Sequence, residues 1–250
     1  MTLSGRRVLI FQQRDWAIRA GSYVAERLRD EGCKLAAITL KATTDEMVRN
    51  QSGIEYEKIL YSDAFWNDPY TVDGLDDISL TEVCVGLGVD SIWPIANAER
   101  HYVRSYAEGY YFSYRQNRSD KDIIAYVKAC YLEISRLLDS FRPEIIISLN
   151  YAGPIQIITY LLALKRGITD LALYTARVQD LYVLFHDYQC LSGPMTTRFY
   201  ELNEGRTQSE NLERARVYID EFRTEFKKPN DEDWGDESTP IQVRIKNHLR

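Results

Sequence analysis

The chain has 250 residues, 45% of them hydrophobic and 27% charged, with a formal net charge of -6. That is enough for one sizeable core, and the acidic balance argues against a nucleic-acid surface, whose footprint is a basic patch. No apolar run reaches the ~20 residues of a membrane span, and the amino terminus has no secretory pattern, so a cytoplasmic protein is expected.

Taken in chain order, Arg7 to Gln12 is a short run of β-formers. An amphipathic stretch follows from Ala17 to Asp30, with Ala20, Tyr23, Val24, Arg27 and Leu28 at helical spacing and Gly32 as a stop. Cys33 to Leu40 and Tyr56 to Tyr61 predict two further strands around a short helix near Thr44 to Asn50. Strand, helix, strand predicts a right-handed parallel crossover. Ser62 to Val89, rich in Asp and Gly, predicts loops with short helical turns.

From Ile95 to Tyr114 the period is helical, with Tyr102, Tyr106, Tyr110 and Tyr114 on one face. Ser119 is placed to cap a second long helix carrying Ile123, Val127, Ile134 and Leu138. Pro143 to Leu149 predicts a buried strand, and Pro154 opens a buried helix whose apolar run is interrupted by Gln156, Thr159 and Tyr160. Strands are expected at Leu171 to Ala176 and Leu181 to Phe185. A last helix is expected to start at a capping box of Thr207 and Glu210 and to dock on the domain through Leu212, Ala215, Tyr218, Ile219, Phe222 and Phe226. The expected organisation is one α/β domain with a mainly parallel sheet, residues 1–228, and an acidic linker or tail, residues 229–250.

Ligands of open parallel sheets bind beyond the carboxyl ends of the strands, which selects Gln13 to Trp16, Asn150 to Gly153, Arg177 to Asp180 and His186-Asp187. The first turn lacks GxGxxG and the chain has no GxxxxGK[ST], which counts against dinucleotide oxidoreductases and P-loop enzymes. Arg14 could bind an anion and Asp15 could act as a base, although both also suit a solvated turn. The tyrosine stripe could stack on sugar faces, or simply be core. His101, His186 and His248 have no partner defined by sequence.

Cys33, Cys84, Cys130 and Cys190 are widely spaced, which suits reduced packing residues better than disulfides or zinc. Asp231-Glu-Asp233 superficially resembles a metal-binding carboxylate pair but lies in an acidic tail, so no metal and no cofactor is expected.

A series of features then resembles a family. Glu82 and Gly86 precede Trp93, the pair Glu99-Arg100 and the tyrosine-rich stretch. Phe141-Arg-Pro-Glu144, Tyr174-Thr-Ala-Arg177, His186-Asp187 and Glu210 to Phe222 (ENLERARVYIDEF) follow. This order is similar to the N-terminal lobe of glycosyltransferases that build capsular and related bacterial surface polysaccharides, over about Arg7 to Pro229.

The resemblance implies a Rossmann-like open sheet flanked by helices, one lobe of a two-lobed (GT-B type) enzyme. In such enzymes the first lobe holds the acceptor and the second the nucleotide sugar. If such transfer occurs, a base must activate the acceptor hydroxyl, and Asp15 and Glu99 are the candidates. Arg14, Arg100, Asn150, Tyr151, Arg177 and His186 become substrate-binding residues, the arginines suiting acceptor anions or a departing diphosphate. The implied partners are a nucleotide sugar bound by a second lobe, an oligosaccharide or lipid-linked acceptor, a partner subunit, and a membrane surface in peripheral association. This sequence ends before such a second lobe, which leaves three readings: a truncated chain, a lobe that works with a partner, or one that has lost transfer. A non-catalytic carbohydrate-binding or assembly module is the alternative from another class, and a nucleotide-sugar epimerase a third reading.

Overall fold

A computed structural model of the chain describes residues 3–13, 16–99, 118–176, 178, 181–188 and 193–225. The strands are β1 (Arg7–Gln13), β2 (Lys34–Leu40), β3 (Tyr56–Tyr61), β4 (Ile145–Ser148), β5 (Thr169–Thr175) and β6 (Tyr182–Phe185), in one sheet of order β3-β2-β1-β4-β5-β6. The fold is thus α/β, with an open, mostly parallel, Rossmann-like sheet. Parallel pairing sets Val8 beside Leu35 and Ile145, Tyr61 beside Thr39, and Ser148 beside Ala172. β1 and β2 are buried almost along their length, because a parallel sheet is covered on both faces and reads as a continuous apolar run.

Side chains alternate across the sheet. One face carries Val8, Ile10, Leu35, Ile145, Ile147 and Leu173, packed with Trp16 and with α1 (Ser22–Asp30) through Ala25 and Leu28. Ala17–Gly21 forms a π-helical turn just before α1. The opposite face carries Leu9, Phe11, Ile146 and Ala172, all buried. Between β2 and β4 lie α2 (Ala42–Arg49), α3 (Asp63–Asn67), a 3-10 turn (Pro69–Thr71), α4 (Leu80–Leu87), the four-residue α5 (Trp93–Ala96) and the long α6 (Asp120–Phe141). α7 (Pro154–Arg166) follows β4 and packs against α6 and α4.

Local chemistry explains the helix ends. Ser119 accepts the Asp122 N–H at 3.2 Å while Asp122 accepts the Ser119 N–H at 3.3 Å, a reciprocal cap. The same arrangement of Ser79 and Glu82 starts α4, within a stretch expected to hold only loops and short turns, because the box supplies acceptors for two otherwise unpaired N–H donors of a helix start. Glu82 is therefore occupied as a cap, and its hydrogen bonds to Ser79 hold its carboxyl below the usual range. Gly86 lets α4 approach α6 closely, since a Cβ there would sit 2.3 Å from the Tyr131 hydroxyl. The amino ends of the strands are tied by ion pairs: Arg6 with Glu144, and Glu57 with Arg7 at 2.7 Å and Lys34 at 3.6 Å.

The chain divides into two compact units, 1–173 with 188–190, and 174–187 with 191–250. In the second, β6 is accompanied by α8 (Pro194–Asn203), a helix absent from the sequence reading, and by α9 (Leu212–Thr224). The expected Thr207/Glu210 box does not form. Thr207 accepts from the Arg198 guanidinium and Ser209 accepts the Asn211 N–H at 3.2 Å, so the helix starts two residues after Glu210. No residue of α9 is buried, and Leu212, Ile219 and Phe222 are exposed rather than docked.

Candidate functional site

The strand order makes a switch point between β1 and β4. From β1 the sheet grows outward through β2 to β3, and from β4 outward through β5. The helices that follow β1 and β4 therefore leave on opposite faces, and a crevice opens beyond their carboxyl ends. Two consecutive glutamines close β1 there, on opposite faces.

Gln12, fully buried, faces α1: its Nε2 donates to the Gly21 carbonyl at 3.0 Å and to the Tyr56 hydroxyl at 3.1 Å. The Tyr56 hydroxyl donates onward to Gln51 Oε1 at 3.3 Å, and burial pushes its pKa up. Gln12 Oε1 and Trp16 Nε1 are buried with no hydrogen-bond partner among the described residues. Gly21 has a steric reason to be glycine, since a Cβ would lie 2.1 Å from Gln12 Oε1 and 2.4 Å from the Trp16 ring.

Gln13 faces the other way, where its Oε1 accepts from Gln156 Nε2 in the first turn of α7 at 2.9 Å; both residues are buried. Ser148, the last residue of β4, is on the same face, and its Oγ is buried without a partner among the described residues. The loop between β4 and α7 is held by Asn150 Oδ1, which accepts the Ala152 N–H at 3.1 Å. It is held also by Tyr151, whose hydroxyl donates to Asp170 Oδ1 at 2.7 Å. Tyr151 meets the edge of Tyr160, and Tyr160 that of Tyr188, with ring centroids 5.3 Å apart in each pair. Asp170 is buried at the start of β5, and this burial pushes its carboxyl up to about 7.

The expected site residues separate in this frame. Asn150 and Tyr151 come to the crevice, with Asn150 engaged in the loop turn and Tyr151 held by Asp170. Glu99 follows α5, partly buried, and its charge helps burial push up the Cys130 thiol of α6. His186 is exposed directly after β6 in the second unit. Arg14, Asp15, Arg100, Arg177 and the four stripe tyrosines lie outside the described residues.

Gln13 was a candidate by its strand-end position alone, and Gln156, Ser148 and Asp170 were not singled out as site residues. The available signal was a polar residue at a strand end or inside an otherwise apolar helix. Among the described residues no group of three His, Cys, Asp or Glu side chains is arranged to hold a metal ion, and no helix is long and apolar enough to cross a membrane. No protein-family model matches this chain, and no curated protein matches it.

Proposed function

We propose that this chain is the acceptor-side lobe of a glycosyltransferase of polysaccharide biosynthesis, binding a saccharide acceptor in the β1/β4 crevice while a second lobe holds the nucleotide sugar. The observation that carries this reading is the neutral amide pair Gln13–Gln156 at the switch point, where dinucleotide-binding chains place a glycine-rich turn. Amides and hydroxyls both donate and accept, which matches the alternating needs of sugar hydroxyls. Aromatic rings are also at hand in Tyr151 and Tyr160.

In this proposal Asp15 or Glu99 would take the proton of the acceptor hydroxyl, and Arg14, Arg100 or Arg177 would face the departing diphosphate. Arg14 and Asp15 are candidates by strand-end position, Glu99 and Arg100 by the family resemblance, and Arg177 by both. The catalytic step would form a bond from the acceptor oxygen to the anomeric carbon as the bond to the diphosphate breaks, with the proton passing to the base.

Calorimetric titration of the chain with oligosaccharide fragments and with nucleotide sugars tests the proposal. Saturable oligosaccharide binding, weakened in Gln156→Leu and Arg177→Ala, is expected. Tight nucleotide-sugar binding without oligosaccharide binding would overturn the assignment of the lobe.

A further inference from the structure

We infer that Lys41 and Asp63 form a saccharide subsite of their own, in which the ammonium and the carboxylate together hold adjacent hydroxyls of one sugar ring. The inference rests on the saccharide reading above and adds to it a second contact for the acceptor, outside the β1/β4 crevice.

The two residues follow β2 and β3. Register sets Leu40 beside Gln13 and Thr39 beside Tyr61. Lys41 and Asp63 therefore leave the sheet at the carboxyl edge where ligands of such sheets bind, one and two strands away from β1.

Lys41 is held there against its backbone preference. It has φ 73 and ψ 132, a positive φ without glycine and outside the left-handed helical region. Arg142, the other non-glycine residue with positive φ among the described residues, has φ 52 and ψ 60, within that region and at a helix end. A conformation like that of Lys41 costs free energy and persists only where the surroundings impose it. Its result is the placement of the ammonium, 3.6 Å from Asp63 Oδ2 and 5.1 Å from the centre of the Trp66 ring. A half-exposed ion pair adds little to stability, so the pair alone does not offset the strain.

Neither charge is satisfied by this arrangement. The Asp63 side chain is only 13% exposed, yet 3.6 Å is beyond hydrogen-bond reach. Among the described residues Asp63 accepts no hydrogen bond through its carboxylate, and the Lys41 ammonium donates none. Asp45, the other carboxylate at this edge, differs: it accepts from the Thr39 hydroxyl at 2.5 Å and from Arg49 Nε at 2.7 Å. Burial, and then the charges of Asp63 and Asp45, push up the pKa of the Tyr61 hydroxyl, which keeps its proton as a further donor. A sugar ring supplies what is missing. One hydroxyl accepts from the ammonium and its neighbour donates to the carboxylate, both bonds being charge-assisted.

The test is 15N NMR of the full chain, following the Trp66 indole N–H, assigned with Trp66→Phe, and the Gln156 side-chain amide. Methyl glycosides of glucose, galactose and mannose are added first, and trisaccharides of the same sugars second. Tetrahydropyran-2-methanol, which lacks the ring diol, is the control. A saturable shift of the Trp66 indole is expected with at least one glycoside and not with the control. Lys41→Gly and Asp63→Asn should each weaken binding at least tenfold, and glycine takes φ 73 freely, so Lys41→Gly should not lower Tm.

No saturable shift at Trp66 with any sugar, or unchanged affinity in both variants, overturns the inference. The underlying reading fails separately. Shifts at Gln156 alone keep the crevice as the acceptor site and remove this subsite, whereas shifts at Trp66 alone keep the subsite and remove the crevice.

Discussion

The side-chain amide of Gln156 donates to that of Gln13 at 2.9 Å, joining two buried residues 143 positions apart at the point where the strand order reverses. Removing one partner leaves the other desolvated and unpaired, so Gln156→Leu is expected to cost about 1–3 kcal/mol. Gln13→Leu with Gln156→Leu should cost less than the sum of the single changes. Urea unfolding of the four forms measures the coupling, and additive costs would mean that the two amides act independently.

Asp170 supplies a pH dependence with a definite sign. Its folded pKa of about 7 lies above the usual carboxyl value because of burial. The native state thus keeps a proton that the unfolded chain releases, so this group's contribution to stability falls as pH rises from about 4 to about 7, by up to about 1.4 kcal/mol per pH unit. Below that window its effect is absent and above it constant. Asp170→Asn keeps an acceptor for Tyr151 and should flatten the slope relative to the parent chain. Thermal melts at pH 4.5, 6 and 8 read it, and parallel curves would refute the assignment.

Gly21→Ala places a methyl group 2.1 Å from Gln12 Oε1 and 2.4 Å from the Trp16 ring. Overpacking of this kind costs about 1–3 kcal/mol. A chain with unaltered Tm would show that the π-helical turn relaxes freely.

Ser119→Ala removes the side-chain half of the α6 cap and should cost about 1 kcal/mol. Ser119→Asp should recover most of it. Failure of this rescue in chemical unfolding would mean that tertiary packing, rather than the cap, fixes the start of α6.

The sheet was largely legible in the sequence. β1 and β2 match their expected runs to within a residue because strands buried on both faces leave unbroken apolar segments, and Ser119 was legible because capping is local. The site was less so. Gln156 reads as an interruption in a buried helix until folding brings Gln13 to it, and Asp170 gains its character only from burial beside Tyr151. Periodicity reports which face is covered but not what covers it. The late start of α9 has a local cause, since the Arg198 guanidinium takes up the Thr207 hydroxyl expected to form the cap.

The π-helical turn at Ala17–Gly21 holds one more residue than an α-helical turn would need there. Each residue advances an α-helix by about 100°, so deleting one residue from this turn would restore regular winding and swing Trp16 by that angle about the helix axis, away from the cluster it shares with Val8 and Ile10. The extra residue thus acts as a phase shifter: α1 keeps its apolar stripe toward the sheet while the indole keeps its place in the cluster with Val8 and Ile10. Length changes in this segment should therefore be tolerated far less than a substitution at the partly buried Ala20.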